Sequence, residues 1–139
     1  DAIGDAWSTH LEHNNDATFL DDLVDGCGFE IMRLEALEES HRLGENKHRS
    51  ELCSLFIREN KQRFNIQKIT PPAHLIRKDL RLTVDYPEDL IVCRAVYNNF
   101  INQAPFFKLT DVIMFLDENP HLKNLIGPYC ESGYETMYS

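Results

Sequence analysis

One acidic stretch, RLTVDYPEDL at residues 81–90, carries residue types that can hold a metal ion. Asp85 follows a run in which Leu80, Leu82 and Val84 alternate with polar residues, the pattern of a half-buried β-strand. Ligands of α/β sheets gather beyond the carboxyl ends of the strands. A carboxylate there suits Mg²⁺, which proteins hold through one or two carboxylates plus substrate phosphates. Asp85 is therefore a candidate metal ligand.

The same acids also have a purely structural interpretation. Pro87 suits the first turn of a helix, where its missing N–H is no loss. Glu88 and Asp89 favour the positive end of the helix dipole, and Asp85 can cap free backbone N–H groups. Capping alone thus accounts for each acid, and the two interpretations do not exclude each other.

Hydrophobic periodicity predicts helices and strands that alternate along the chain, which argues for α/β layering. The helical spacing of Ile3, Trp7 and Leu11 predicts that the chain begins with a helix. The helix after the second strand is expected to end at Gly44 in a left-handed cap. The remaining predicted elements are strands over 17–20, 29–33, 64–70 and 80–85, a glycine turn at 25–28, and helices over 34–43, 48–60, 87–100 and 109–119.

Composition narrows the function classes. The net charge is −9, from 14 basic and 23 acidic residues, so we expect no nucleic-acid partner. No apolar run approaches the roughly 20 residues of a membrane span. The four cysteines form no C-x-x-C pair, which argues against a zinc site; we read Cys53 and Cys93 as small core residues and expect a reducing compartment, the cytoplasm.

Residues 48–90, HRSELCSLFIRENKQRFNIQKITPPAHLIRKDLRLTVDYPEDL, resemble the C-terminal half of the cytidylyltransferase family. That family couples CTP to sugar acids, and the branch that this chain resembles serves spore-coat and other surface-polysaccharide biosynthesis. GFEIMRLEALEES at 28–40 resembles the strand and helix that lead into this region, and FKLTDVIMFLDENPHLKNL at 107–125 resembles the tail of that branch.

The resemblance covers residues 1–126 and implies a nucleotidyltransferase-type fold, layered like the nucleotide-diphospho-sugar transferases. Residues 127–139 are then a peripheral tail. The resemblance also implies that Asp85 is one of two aspartates that bind Mg²⁺. It further gives Glu51 a catalytic role on the substrate side; the alternative is that Glu51 is simply an acidic residue that favours the N-terminus of a helix. His48 and Arg49, just before Glu51, either face an anionic sugar or form a solvated turn.

Two motifs of that family are missing from this chain: the loop of glycine and arginine that cradles the phosphates, and the second metal-binding aspartate. We therefore expect a C-terminal part of an enzyme that acts on CTP and a sugar-acid acceptor, and that is inactive alone. Its expected protein partner is the missing N-terminal half or a second copy. The alternative is a non-catalytic association module derived from the same fold.

Overall fold

The computed structural model describes residues 2–138, with side chains described through residue 130. The chain divides into two compact units. Unit 1 comprises Asp1–Asp21 and Phe29–Thr70, and unit 2 comprises Asp22–Gly28 and Pro71–Ser139. The two units are described separately below.

Unit 1 contains a three-stranded sheet in the order β2-β1-β3. Strand β1 (Ala17–Leu20) lies in the centre and is buried along its whole length. It pairs antiparallel with β2 (Phe29–Met32) and parallel with β3 (Ile66–Lys68). All three strands were predicted from their apolar residues, and all three are confirmed.

Three helices belong to unit 1: α1 (Ala2–Glu12), α2 (Leu34–Leu43) and the short α3 (Leu55–Glu59). Helix α1 packs on β1 through Ala6 and His10, which are buried. The apolar core of the unit is formed by residues from the sheet, from helices α2 and α3 and from the segment that follows α3, namely Ala17, Phe19, Ala36, Phe56, Ile57 and Phe64.

Helix α2 ends at Gly44, as predicted, but the left-handed cap is wrong. Gly44 has an extended backbone with φ −67°, and its N–H donates to the Ser40 carbonyl. A Cβ atom at this position would lie 2.7 Å from that carbonyl oxygen. Close approach of the backbone, not a positive φ, is therefore what requires glycine here.

The helix predicted over residues 48–60 is much shorter in the structure. A 3₁₀ turn at Asn46–His48 precedes a non-helical stretch, and α3 begins only at Leu55. Ser54, the residue just before α3, is buried, and its hydroxyl donates to Glu30 at 2.7 Å and accepts from Arg58 at 3.0 Å. These contacts tie the start of α3 to strand β2.

Unit 2 is built from helices α4 (Pro87–Asn99), α5 (Leu109–Glu118) and α6 (Pro120–Tyr138). Helices α4 and α5 follow the predicted bounds closely. Their apolar residues enclose a core with the start of α6 and two preceding segments, formed by Val24, Leu80, Val92, Val96, Phe100, Val112, Ile113, Leu116, Leu122 and Ile126. The predicted boundary at residue 126 falls inside helix α6, and Cys130 beyond it is buried.

The strand predicted over residues 80–85 is wrong. Leu80 and Arg81 are buried in succession and Val84 is exposed, so the alternation of a strand is not realised. Only a single parallel bridge between Asp25 and Arg81 remains. The predicted glycine turn, in contrast, is confirmed at Gly26, whose φ is +86° and where a Cβ atom would meet the Thr83 nitrogen at 2.6 Å.

The fold is thus of mixed α/β composition, as predicted, with a small sheet. Among the described residues, no helix combines the length and the apolar character needed to cross a membrane.

We predict that Leu116→Ala lowers the free energy of unfolding by roughly 2–5 kcal/mol, because Leu116 is fully buried in the core of unit 2 and its truncation leaves a cavity. Met114→Ala on the same helix is the control, since Met114 is 60% exposed, and its effect should stay within about 0.5 kcal/mol. Urea unfolding measures both. Equal losses would mean that α5 does not face the core as described.

Candidate functional site

A buried ion pair underlies the acidic stretch of unit 2. The side chain of Arg81 is 2% exposed and that of Asp89 is fully buried. The Arg81 Nε lies 2.9 Å from the Asp89 Oδ1, and its Nη2 donates to the Asp89 Oδ2 at 3.0 Å. Arg81 also donates through Nη1 to the Tyr129 carbonyl at 2.8 Å and through Nη2 to the Asp85 Oδ2 at 2.7 Å.

Asp89, not Asp85, caps the start of helix α4. The Asp89 Oδ2 accepts hydrogen bonds from the backbone N–H groups of Asp85 and Tyr86, each at 3.0 Å. The capping role predicted for the Asp85 side chain is therefore wrong. The carboxylate that satisfies these donors reaches back from the third residue of the helix, and Pro87 occupies the first turn as predicted.

Asp85 itself faces solvent, with its side chain 63% exposed. Its Oδ2 is held by Arg81 and, at 3.3 Å, by the Thr83 hydroxyl. None of the described hydrogen bonds reaches its Oδ1. Asp85 can therefore offer one hard oxygen to a cation without giving up its contact with Arg81, which matches the ligand chemistry of Mg²⁺.

A third carboxyl group, that of Asp25, lies near the same arginine. Its Oδ2 is buried and has no hydrogen-bond partner. Burial raises the pKa of Asp25, while the charge of Arg81 acts in the opposite direction. One guanidinium thus faces several carboxyl groups. Among the described residues, however, no three histidine, cysteine or acidic side chains converge as a metal site would require, so Asp85 would need further ligands from elsewhere.

Unit 1 contains a cavity of about 620 Å³ between helix α2 and the segment that follows it. His41, Arg49, Ser50 and Cys53 are among its lining residues, together with His48. Cys53 is exposed, so its predicted place in a core is wrong, and Cys93 in unit 2 is only partly buried.

The two imidazoles of the cavity are held differently. His48 accepts a hydrogen bond from the Glu45 N–H on Nδ1 at 2.8 Å, so its Nε2 carries the proton and donates to Glu59 at 2.8 Å. Hydrogen bonds from Lys47 and then His48 hold the pKa of Glu59 below its usual range. His41 has only the Arg49 guanidinium, 3.3 Å from its Nδ1, as a described hydrogen-bond partner.

At this cavity, which Glu38 lines as well, the positive charge comes from Arg49. Arg49 is exposed, and none of the described ion pairs joins it to a carboxylate. Glu51, two residues further along, is also exposed and is not among the lining residues. Glu51 is therefore close in sequence to residues that line the cavity but does not line it itself, and its catalytic role stays a prediction. Glu51 belongs to unit 1 and Asp85 to unit 2.

A second arginine with several carboxylate partners, the half-buried Arg58 of unit 1, was not singled out from the sequence. Arg58 donates to both carboxylate oxygens of Asp21 at 2.9 Å and to Glu30 at 2.6 Å, and its guanidinium lies 3.8 Å above the Phe19 ring. These contacts join α3 to the sheet. The partners are up to 37 residues apart in sequence, so no local signal could have paired them.

We predict that Asp89→Asn lowers the free energy of unfolding by roughly 3–5 kcal/mol, because it leaves the Arg81 charge buried without its main counter-ion. Asp85→Asn is the matched control and should cost no more than about 1 kcal/mol, since the Asp85 end of this ion pair faces solvent and Asp89 still neutralises the guanidinium. Chemical denaturation compares the two. A larger loss for Asp85→Asn would contradict the assignment of the structural role to Asp89.

No protein-family model matches this chain. Over 129 residues the chain is 29% identical to an uncharacterized protein of Methanocaldococcus jannaschii, and the match covers 91% of this chain and 51% of that protein.

The structure resembles that of a cytidylyltransferase from Leptospira borgpetersenii, with a TM-score of 0.69 and 18% sequence identity. The match covers 87% of this chain and 51% of the other chain. The chain therefore spans about half the length of each of these two proteins, and it shares the fold of the corresponding part of a solved cytidylyltransferase.

Proposed function

We propose that these residues form the C-terminal part of a CTP-dependent cytidylyltransferase that activates a sugar acid, or a similar anionic acceptor, for surface-polysaccharide biosynthesis. The observation that carries the proposal is the fold match to a cytidylyltransferase over 87% of this chain. The resemblance of residues 48–90 to that family is independent support, because it rests on sequence motifs. The four free cysteines are in keeping with a cytoplasmic enzyme.

Asp85 is the proposed Mg²⁺ ligand of the complete enzyme. Support comes from its exposed carboxylate, whose Oδ1 is not engaged in a described hydrogen bond, and from Arg81, which fixes the other oxygen. A bound Mg²⁺ would neutralise phosphate charge as the acceptor attacks. The remaining ligands would come from the part of the fold that this chain does not span, which is why we expect no turnover by these 139 residues alone.

The cavity of unit 1 is the proposed site for the anionic group of the acceptor. Arg49 presents hydrogen-bond donors and a positive charge there, beside His41 and with Glu38 among the other lining residues, and a guanidinium matches the geometry of a carboxylate. Glu51 lies next to these residues in sequence and is proposed to contact the hydroxyl groups of the sugar. The alternative function is a non-catalytic association module, for which the half-length match is the only support.

The acceptor site can be tested on the chain as it is. We predict that N-acetylneuraminate, a sugar carboxylate, shifts the amide NMR signals of residues 38–53 and that Arg49→Gln weakens this binding about tenfold, the effect of losing a charged hydrogen bond. Arg42→Gln is the control, since Arg42 is equally exposed but does not line the cavity. Binding that survives Arg49→Gln, or that N-acetylglucosamine reproduces, would refute the site.

Catalysis requires a longer polypeptide. A chimera that joins the unmatched half of the Methanocaldococcus relative to this chain, in the order of the relative's own sequence, supplies the rest of the fold; we call it the completed chimera. We expect it to release pyrophosphate from CTP with a sugar-acid acceptor and Mg²⁺.

In the completed chimera, Asp85→Asn should lower the rate of pyrophosphate release at least about a hundredfold, because a metal ion supplies several kcal/mol of charge stabilisation. Glu118→Gln, another exposed acid of unit 2, should not change it. Turnover by the isolated chain, or unchanged Mg²⁺ dependence in Asp85→Asn, would overturn the catalytic proposal.

A further inference from the structure

Helix α1 exposes large apolar side chains along one line. Ile3, Trp7 and Leu11 are spaced by four residues and are 59%, 52% and 54% exposed. At 100° per residue, they lie next to Ala6 and His10, the two residues that face β1. The apolar surface of α1 is therefore wider than the part that β1 covers.

This surface continues beyond the helix. A second cavity of unit 1, of about 440 Å³, is lined by Trp7 and Leu11 together with Met32 and Leu34. Leu34, at the start of α2, is 65% exposed. We call Ile3, Trp7, Leu11 and Leu34 the α1 face. Three of these side chains line the cavity and Ile3 extends the same helix surface, and an exposed apolar patch of this kind is typical of a protein–protein contact.

The two matched proteins indicate what covers this face. Each is about twice as long as its aligned part, so in each of them a similar length of polypeptide lies outside the aligned region. An apolar helix surface that is too wide for its own unit is what a helix shows when a further layer packs on it.

We propose that the α1 face is the docking surface for the half of the matched fold that these residues do not span, and that the contact is mainly apolar. The inference rests on the proposed function only in taking the cytidylyltransferase fold as the template. It makes no use of Asp85, Glu51 or the cavity at Arg49.

The test compares the isolated chain with the completed chimera in urea. In the isolated chain, Leu11→Ser and Leu34→Ser should leave the unfolding midpoint unchanged, since both side chains already face water. In the completed chimera each should lower the midpoint by roughly 1 M urea, the size expected when one large apolar side chain loses its burial. Met114→Ser, an equally exposed residue of unit 2, should change neither protein.

Three results would overturn the proposal. One is a completed chimera that is as insensitive to Leu11→Ser and Leu34→Ser as the isolated chain. Another is a completed chimera that unfolds in two separate transitions, with the transition of these residues at the midpoint of the isolated chain. The third is an isolated chain that is dimeric by analytical ultracentrifugation and becomes monomeric on Leu11→Ser, which would make a second copy the occupant.

No nucleotide is present in these measurements, so they are independent of catalysis. A completed chimera that responds to the α1-face substitutions but does not turn over CTP would keep the docking surface and remove the proposed function. A completed chimera that turns over CTP but whose unfolding midpoint is unchanged by the substitutions would keep the proposed function and remove the docking surface.

Discussion

The buried pair of Arg81 and Asp89 is the interaction on which the organisation of unit 2 depends. Two charges inside a protein are costly unless they are paired, and here Asp89 also accepts hydrogen bonds from the N–H groups of Asp85 and Tyr86, the two residues just before α4. Arg81 in turn reaches the Tyr129 carbonyl in α6. One pair therefore fixes where a helix begins and ties it to the last helix of the unit.

The position of Asp85 is a consequence of the same pair. Its backbone N–H is bound by Asp89 and one of its carboxylate oxygens by Arg81, so the exposed side chain is oriented from two sides. A structural and a metal-binding interpretation of this acidic stretch are therefore not rivals. The structural charges are Arg81 and Asp89, and the carboxylate that remains available to a cation is Asp85.

Sequence patterns predicted most elements of this fold because helix and strand periods are local properties. They were wrong over residues 80–85, where Arg81 is buried against Asp89 and the Tyr129 carbonyl. Tyr129 lies 48 residues away in sequence, so no local pattern could show this contact. Asp85 was found as a candidate metal ligand from the local pattern, and its assignment as one of two metal-binding aspartates came from the resemblance. The cavity at Arg49 could not be found in this way, because its walls come from a helix and from a stretch that was predicted to be helical.

Gly44 has a consequence for that cavity. It is one of the lining residues, and a Cβ atom there would lie 2.7 Å from the Ser40 oxygen and 3.2 Å from the His48 Cβ. Any other amino acid would push the end of α2 and the His48 imidazole apart, and Arg49 follows directly in sequence. The width of the opening is thus controlled by a residue without a side chain, and a ligand preference could be altered there without changing any group that contacts the ligand.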